Sequence, residues 1–131
     1  MKLLVDNNLP PCLGRGLNAL FNSDHDVIHI RDKFGTGSLS DEAWIRELAE
    51  EGGWCVLSSD RRIATRKPSR DLFLRSNLIG FFLLPAVAKL PLHALTARIL
   101  ILWPIVERTA HTKDRGCFEI GIKGTSLRAV A

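Results

Sequence analysis

The stretch that decides the fold is Lys2-Leu3-Leu4-Val5-Asp6-Asn7-Asn8-Leu9-Pro10-Pro11. It opens with a short, mainly apolar run, which is typical of a buried strand in a parallel sheet. The two prolines then favour the start of a helix, because proline fits the first helical turn. Asp6 is therefore expected at the carboxyl end of a strand, just before a helix.

The same alternation of strand and helix continues along the chain. Further strands are predicted over 26–30, 54–57, 78–84 and 117–122, with a helix between each pair. The longest helix is expected to begin at Pro91, and Pro104 should kink it or end it near Trp103. Short connections between alternating elements indicate parallel strands covered by helices on both faces. We predict one domain over residues 1–131, an α/β fold: a three-layer α/β/α sandwich with a mainly parallel central sheet of about five strands.

Composition excludes several classes of protein. The 131 residues are 46% hydrophobic and 24% charged, which excludes a disordered or fibrous chain. The longest apolar stretches, 79–88 and 99–106, are far shorter than the ~18 residues that span a bilayer. No signal peptide is apparent. Three cysteines, odd in number and far apart, are expected to be reduced core residues of a cytoplasmic protein: Cys12, Cys55 and Cys117.

Charge is distributed unevenly along the chain. Residues 1–60 hold five basic and ten acidic side chains, a net charge of −5, whereas residues 61–131 hold thirteen and four, a net charge of +9. The basic excess is steepest over 61–75, where Arg61, Arg62, Arg66 and Lys67 are candidates for binding a polyanion such as a nucleic acid. Solvated surface arginines are the alternative explanation of the same pattern.

Acidic side chains follow the predicted strands on one edge of the sheet. Asp6 ends the first strand, Asp60 follows the third, and Asp41 and Glu42 begin the helix after the second. Parallel strands bring these positions together, and ligands bind along that edge. Because close carboxylates repel, such a cluster favours a divalent cation, and oxygen ligands favour Mg²⁺ or Mn²⁺. Helix capping by Asp6 and Asp60, and the helix dipole at Asp41 and Glu42, are the alternatives.

Four blocks of this sequence resemble the PIN-like family. They are Leu3-Leu4-Val5-Asp6-Asn7-Asn8-Leu9, similar to the family's Leu-Leu-x-Asp-Glu-Asn-Leu, followed by His25-Asp26-Val27, Ser40-Asp41-Glu42 and Val56-Leu57-Ser58-Ser59-Asp60. The resemblance covers residues 1 to about 62. It implies a Mg²⁺- or Mn²⁺-dependent ribonuclease, with metal roles at Asp6, Asp41 and Asp60. We expect Glu42, next to Asp41, to support them. Many such proteins are toxins paired with a small antitoxin protein, so the resemblance also implies that partner.

Two positions depart from the family pattern and keep other functions open. Asn7 stands where the family usually has Glu, and Arg62 stands where it often has a second Asp. A degenerate module that binds nucleic acid or protein without cleaving is therefore a second hypothesis. A receiver-like domain, phosphorylated on Asp60 with Lys123 nearby, is a third and lower-ranked one.

The long C-terminal helix carries more apolar residues than one buried stripe needs. Leu100, Ile101 and Ile105 lie off its main face. We expect this excess to pack against a second copy of the chain or against an antitoxin, and burial on two sides within the domain is the alternative.

Overall fold

Six strands form one sheet in the computed structural model, which describes residues 1–131. The strands are β1 (Lys2–Val5), β2 (Asp26–His29), β3 (Trp54–Ser58), β4 (Ile79–Leu83), β5 (Gly116–Ile120) and β6 (Arg128–Ala129). Their order across the sheet is β2-β1-β3-β4-β5-β6. The first five are parallel, and β6 pairs antiparallel with β5. The predicted, mainly parallel sheet is confirmed, with one further short strand at its edge.

Seven helices connect and cover these strands. They are α1 (Pro11–Phe21), α2 (Ile30–Phe34), α3 (Asp41–Glu51), α4 (Arg62–Thr65), α5 (Lys67–Arg75), α6 (Pro85–Ala88) and α7 (Leu92–Thr112). Ser40 caps α3, where its hydroxyl accepts a hydrogen bond from the Ala43 amide. Gly52, with φ of 76°, ends α3 in a conformation that favours glycine.

Two apolar clusters, one on each face of the sheet, make the predicted three layers. Side chains alternate along a strand, so Leu3 and Val5 join a cluster of 19 buried residues with α1 and α7. Leu4 points the other way, into a cluster of 13 buried residues with α3, α4 and α5. The helices thus cover both faces of the sheet, and the carboxyl ends of its strands lie at an edge that they leave uncovered.

Two predicted element ends differ in the structure, for local reasons. Of the two outcomes expected at Pro104, an end near Trp103 is wrong, because α7 continues to Thr112. Leu100, whose carbonyl loses its partner at Pro104, lies on the exposed face, where water can hydrogen-bond that carbonyl. Strand β2 stops at His29, because the His29 ring accepts a hydrogen bond from the Arg31 amide and caps α2.

The expected core position of the cysteines holds for two of the three. Cys55 and Cys117 are buried, and all three cysteines are free. Cys12 is exposed on α1, so its assignment to the core was wrong. Burial raises the pKa of the Cys55 thiol to about 12, which keeps it protonated.

No helix is both long enough and apolar enough to cross a membrane.

Candidate metal and nucleic-acid site

Asp6 lies in the turn between β1 and α1 and is only 5% exposed. Its amide donates a hydrogen bond to the Leu57 carbonyl at 2.9 Å, which extends the pairing of β1 with β3 by one residue. Its Oδ1 accepts from the Asn7 amide at 2.7 Å, and its Oδ2 accepts from the Asn8 side chain at 3.3 Å. The carboxylate is therefore oriented entirely by neutral donors.

Ser58 connects this turn to the one after β3. Its buried hydroxyl donates to Asp6 Oδ2 at 2.7 Å and accepts from the Asp60 amide at 2.9 Å. Asn8 adds a second link, because its Oδ1 accepts from the Ser59 amide at 3.0 Å. The two acidic turns are thus one hydrogen-bonded unit, with Ser58 at its centre.

Asp60 is held by a charged partner instead. The Arg62 guanidinium forms two hydrogen bonds to it, Nε to Oδ1 and Nη2 to Oδ2, both at 2.8 Å. The Arg62 amide also donates to Oδ1 at 3.1 Å. The hydrogen bonds from Arg62 lower the pKa of Asp60, so this carboxyl group is ionised at neutral pH.

Asp41 and Glu42 are neighbours at the start of α3 but point to different surroundings. Asp41 Oδ1 accepts a hydrogen bond from the Trp44 indole at 3.1 Å. Glu42 pairs with Arg46, one turn along the helix, at 2.9 Å. Of the two, only Asp41 lines the cleft at the carboxyl ends of the strands.

The three aspartates line one open cleft of about 230 Å³ at the carboxyl edge of the sheet. Its walls are Asp6, Asn7, Asn8, Ile30, Gly37, Leu39, Asp41, Trp44 and Asp60. Burial raises the pKa of Asp6, and the charges of Asp41 and Asp60 add to that rise, while hydrogen bonds from Ser58 and Asn7 oppose it. Three acidic and no basic side chains line the cleft, so the lining itself is acidic.

A histidine and an arginine from the neighbouring β2–α2 segment support one wall of this cleft. His29 Nε2 donates to the Leu9 carbonyl at 2.6 Å, which fixes the start of α1. Arg31 Nε donates to Asn7 Oδ1 at 2.6 Å and brings a positive charge to the rim. The loop before α3 passes so close that a Cβ at Gly37 would overlap the Asn7 amide.

The four basic candidates divide into two groups. Arg61 and Arg62 are both engaged with acids: Arg61 contacts the buried Glu119 at 3.0 Å, and Arg62 contacts Asp60. Arg66 and Lys67, between α4 and α5, are exposed and pair with no acidic side chain. Only the second group has its charge fully free for a polyanion.

The cleft contains the oxygen ligands that a divalent cation prefers, but its side chains are not arranged as a complete metal site. No group of three or more His, Cys, Asp or Glu side chains is arranged so that it could hold a metal ion. The cleft nevertheless offers oxygen donors, and Asp6 Oδ1 and both oxygens of Asp41 keep unused lone pairs. Asp60 is the exception, because the Arg62 guanidinium bonds both of its oxygens and cancels its charge, although Oδ2 keeps one lone pair.

Sequence reasoning missed three residues of this region. Ser58, Arg31 and Glu119 hold Asp6, Asn7 and Arg61 respectively. A serine at the end of a buried strand was the only available signal, because the other two contacts depend on how distant segments pack. His25, from one of the blocks that resemble the family, lies at the opposite edge of the sheet, where it contacts the N-terminal amine and Glu107.

The comparison with known families agrees with this architecture. The family model described as a PIN-like domain matches residues 1–84, which include β1 to β4 and all three aspartates of the cleft. The match covers well over half of the chain, so the chain belongs to the PIN-like domain family. This assignment removes the receiver-like alternative. No curated protein and no solved structure matches the chain.

Proposed function

We propose that this chain is a metal-dependent endoribonuclease whose active site is the cleft at Asp6, Asp41 and Asp60. The observation that carries the proposal is the meeting of three carboxylates, from segments far apart in sequence, in one cleft of a PIN-like domain. PIN domains are a nuclease-type superfamily that generally uses divalent metals. The buried Asp6, oriented only by neutral donors, supports a site that needs a cation to balance its charge.

Asp6 and Asp41 would hold Mg²⁺ or Mn²⁺, and Asp60 would join them when it is released by Arg62. A cation bound there would lower the pKa of a water molecule and stabilise the negative charge that develops on a phosphodiester. Ser58 holds the Asp6 carboxylate in place through the hydrogen bond that its hydroxyl donates to Oδ2. Glu42 is left out of the proposed site, because it pairs with Arg46 and does not line the cleft.

The RNA backbone would lie along the basic rim beside the cleft. Arg66 and Lys67 support this position, because both are exposed and unpaired on the segment that follows Asp60. Phosphate contacts of this kind position a strand without reading its sequence. Arg61 contributes less in this arrangement, because the buried Glu119 holds it.

We also propose that the chain is the toxin of a toxin–antitoxin pair, restrained by a small protein partner. Support comes from the unpartnered side of α7, where Leu100 is 36% exposed and Ile101 60% exposed. Burying such apolar side chains favours association, and a second copy of the chain would be the competing occupant. Co-purification with the product of the neighbouring reading frame, in place of a homodimer, is the expected result.

Cleavage of RNA with and without metal tests the main proposal. Wild-type protein should cleave single-stranded RNA with Mn²⁺ or Mg²⁺ and lose that activity with a chelator. Asp41→Asn should abolish cleavage, whereas Glu42→Gln, with the same change of charge one residue along, should retain it. RNA binding without cleavage under all conditions would favour the non-cleaving alternative, which the Asp60–Arg62 contact supports.

A further inference from the structure

The contact between Arg62 and Asp60 goes beyond an ordinary surface ion pair. The guanidinium forms a two-pronged pair with a carboxylate whose side chain is only 16% exposed and lines the cleft. Such geometry uses both oxygens at once and is specific to arginine. Arg62 therefore already neutralises the charge on Asp60 that would attract an external cation.

The surroundings of this pair allow it to open without disturbing the fold. The Arg62 side chain is 65% exposed, so its guanidinium can move into solvent without leaving a cavity. Asp60 keeps two other anchors, because its amide donates to Ser58 and its Oδ1 accepts from the Arg62 amide. The carboxylate would stay in place when the guanidinium leaves.

A second carboxylate lies within the electrostatic range of the same guanidinium. Hydrogen bonding to Asp60 raises the pKa of Arg62, and the charge of Asp41 adds to that rise. Arg62 is therefore attracted to two acids of the cleft, as a bound cation would be. Arg66 and Lys67, which follow on the same segment, form no hydrogen bond to either acid.

We propose that Arg62 is an internal counter-cation that keeps Asp60 from binding metal until a nucleic-acid phosphate draws the guanidinium away. The proposal rests on the function proposed above and adds its regulation: the metal site is completed by the substrate. Guanidinium pairs with phosphate in the same two-pronged manner as with carboxylate, so the exchange replaces one favourable pair with another. Metal binding and nucleic-acid binding then strengthen each other, as linkage requires.

Calorimetric titration with Mn²⁺ alone tests the first half of this proposal. Arg62→Gln should bind Mn²⁺ about fivefold more tightly than wild type, which converts to ~1 kcal/mol, the upper range for an exposed ion pair. Arg66→Gln is the matched control, because it removes the same charge nearby but no hydrogen bond to Asp60. Its affinity should stay within about twofold of wild type, since salt screens that longer-range effect.

Repeating the titration with a single-stranded DNA oligonucleotide bound tests the second half. The oligonucleotide supplies phosphates, and it should tighten Mn²⁺ binding to wild type about fivefold more than to Arg62→Gln. Equal affinities in all three proteins, with or without oligonucleotide, would overturn the role of Arg62 and leave the metal site standing. Absence of Mn²⁺ binding in every protein would overturn both the role of Arg62 and the proposed function.

Discussion

The turns after β1 and β3 each present an aspartate to the same cleft, but they hold it in opposite ways. Asp6 is almost fully buried and receives hydrogen bonds from Asn7, Asn8 and Ser58. Asp60 is more accessible and is held by the Arg62 guanidinium. Neutral donors orient a carboxylate and leave its charge in place. A guanidinium orients the carboxylate and also cancels its charge. The pKa of Asp6 is accordingly raised by burial, and that of Asp60 is lowered by Arg62.

The largest effect should come from removing the hydroxyl that joins the two turns. Ser58→Ala leaves Asp6 without its shortest side-chain donor and the Asp60 amide without an acceptor. We expect a loss of roughly 1–3 kcal/mol in the free energy of unfolding, because the carboxylate of the buried Asp6 loses a hydrogen-bond donor. Urea denaturation measures this loss. Ser59→Ala is the control, because the Ser59 hydroxyl makes no such contact, and an equal loss there would show that Ser58 has no special role.

A smaller effect, with a pH signature, should follow from breaking the charged pair. Arg62→Gln should lower the free energy of unfolding at neutral pH by less than Ser58→Ala does, since the arginine is largely exposed and solvent screens its charge. The folded-state pKa of Asp60 is lowered, so the pair stabilises the fold above the unfolded value near ~3.9. That stabilisation disappears as the pH falls through the lowered value.

The contribution of Asp6 to the free energy of unfolding should change with pH in the opposite direction. Its folded-state pKa is raised, so its favourable contribution is complete below the unfolded value and is lost as the pH rises through the raised value. Carboxyl NMR titration of wild type and Arg62→Gln separates the two groups. The variant should raise the pKa of Asp60, and a gap in stability between the two proteins that persists at the lowest pH would contradict this assignment.

The smallest change in stability is expected at the unpaired basic residues. Arg66→Gln/Lys67→Gln should alter the free energy of unfolding by no more than about 0.5 kcal/mol. It should flatten the salt dependence of RNA binding by about 1.4 log units per log unit of salt, at ~0.7 per contact on single strands. Arg61→Gln should leave that slope unchanged, because Arg61 is engaged with Glu119. A flatter slope in Arg61→Gln but not in Arg66→Gln/Lys67→Gln would contradict this position and place the RNA beside Glu119 instead of at the start of α5.

The sequence predicts where the aspartates lie better than it predicts how they are held. Apolar runs that end at Asp6 and near Asp60 place both at one edge, because parallel strands share their direction. The hydrogen bonds and ion pairs that hold each aspartate depend on side-chain rotamers and on contacts between distant segments. Arg62 is an example, since its position two residues after Asp60 indicated a lost carboxylate and gave no sign of an ion pair.

Short elements without a periodic pattern were the other failure of sequence reasoning. Strand β6 has two exposed residues and exists because its backbone pairs with β5. Helix α2 has five residues and depends on the cap that His29 provides. Neither presents the repeated apolar spacing that identified α7 or the continuous apolar run that identified β4.

Thermal unfolding with Mn²⁺ tests the central claim, that the cleft carboxylates bind a divalent cation. A ligand in hundredfold excess over its dissociation constant stabilises the folded state by about 2.7 kcal/mol, and each kcal/mol raises the melting temperature by roughly 4 °C. Wild type and Glu42→Gln should show the same rise, and Asp41→Asn should lose most of it. The same rise in all three proteins, or no rise in wild type, would contradict the claim.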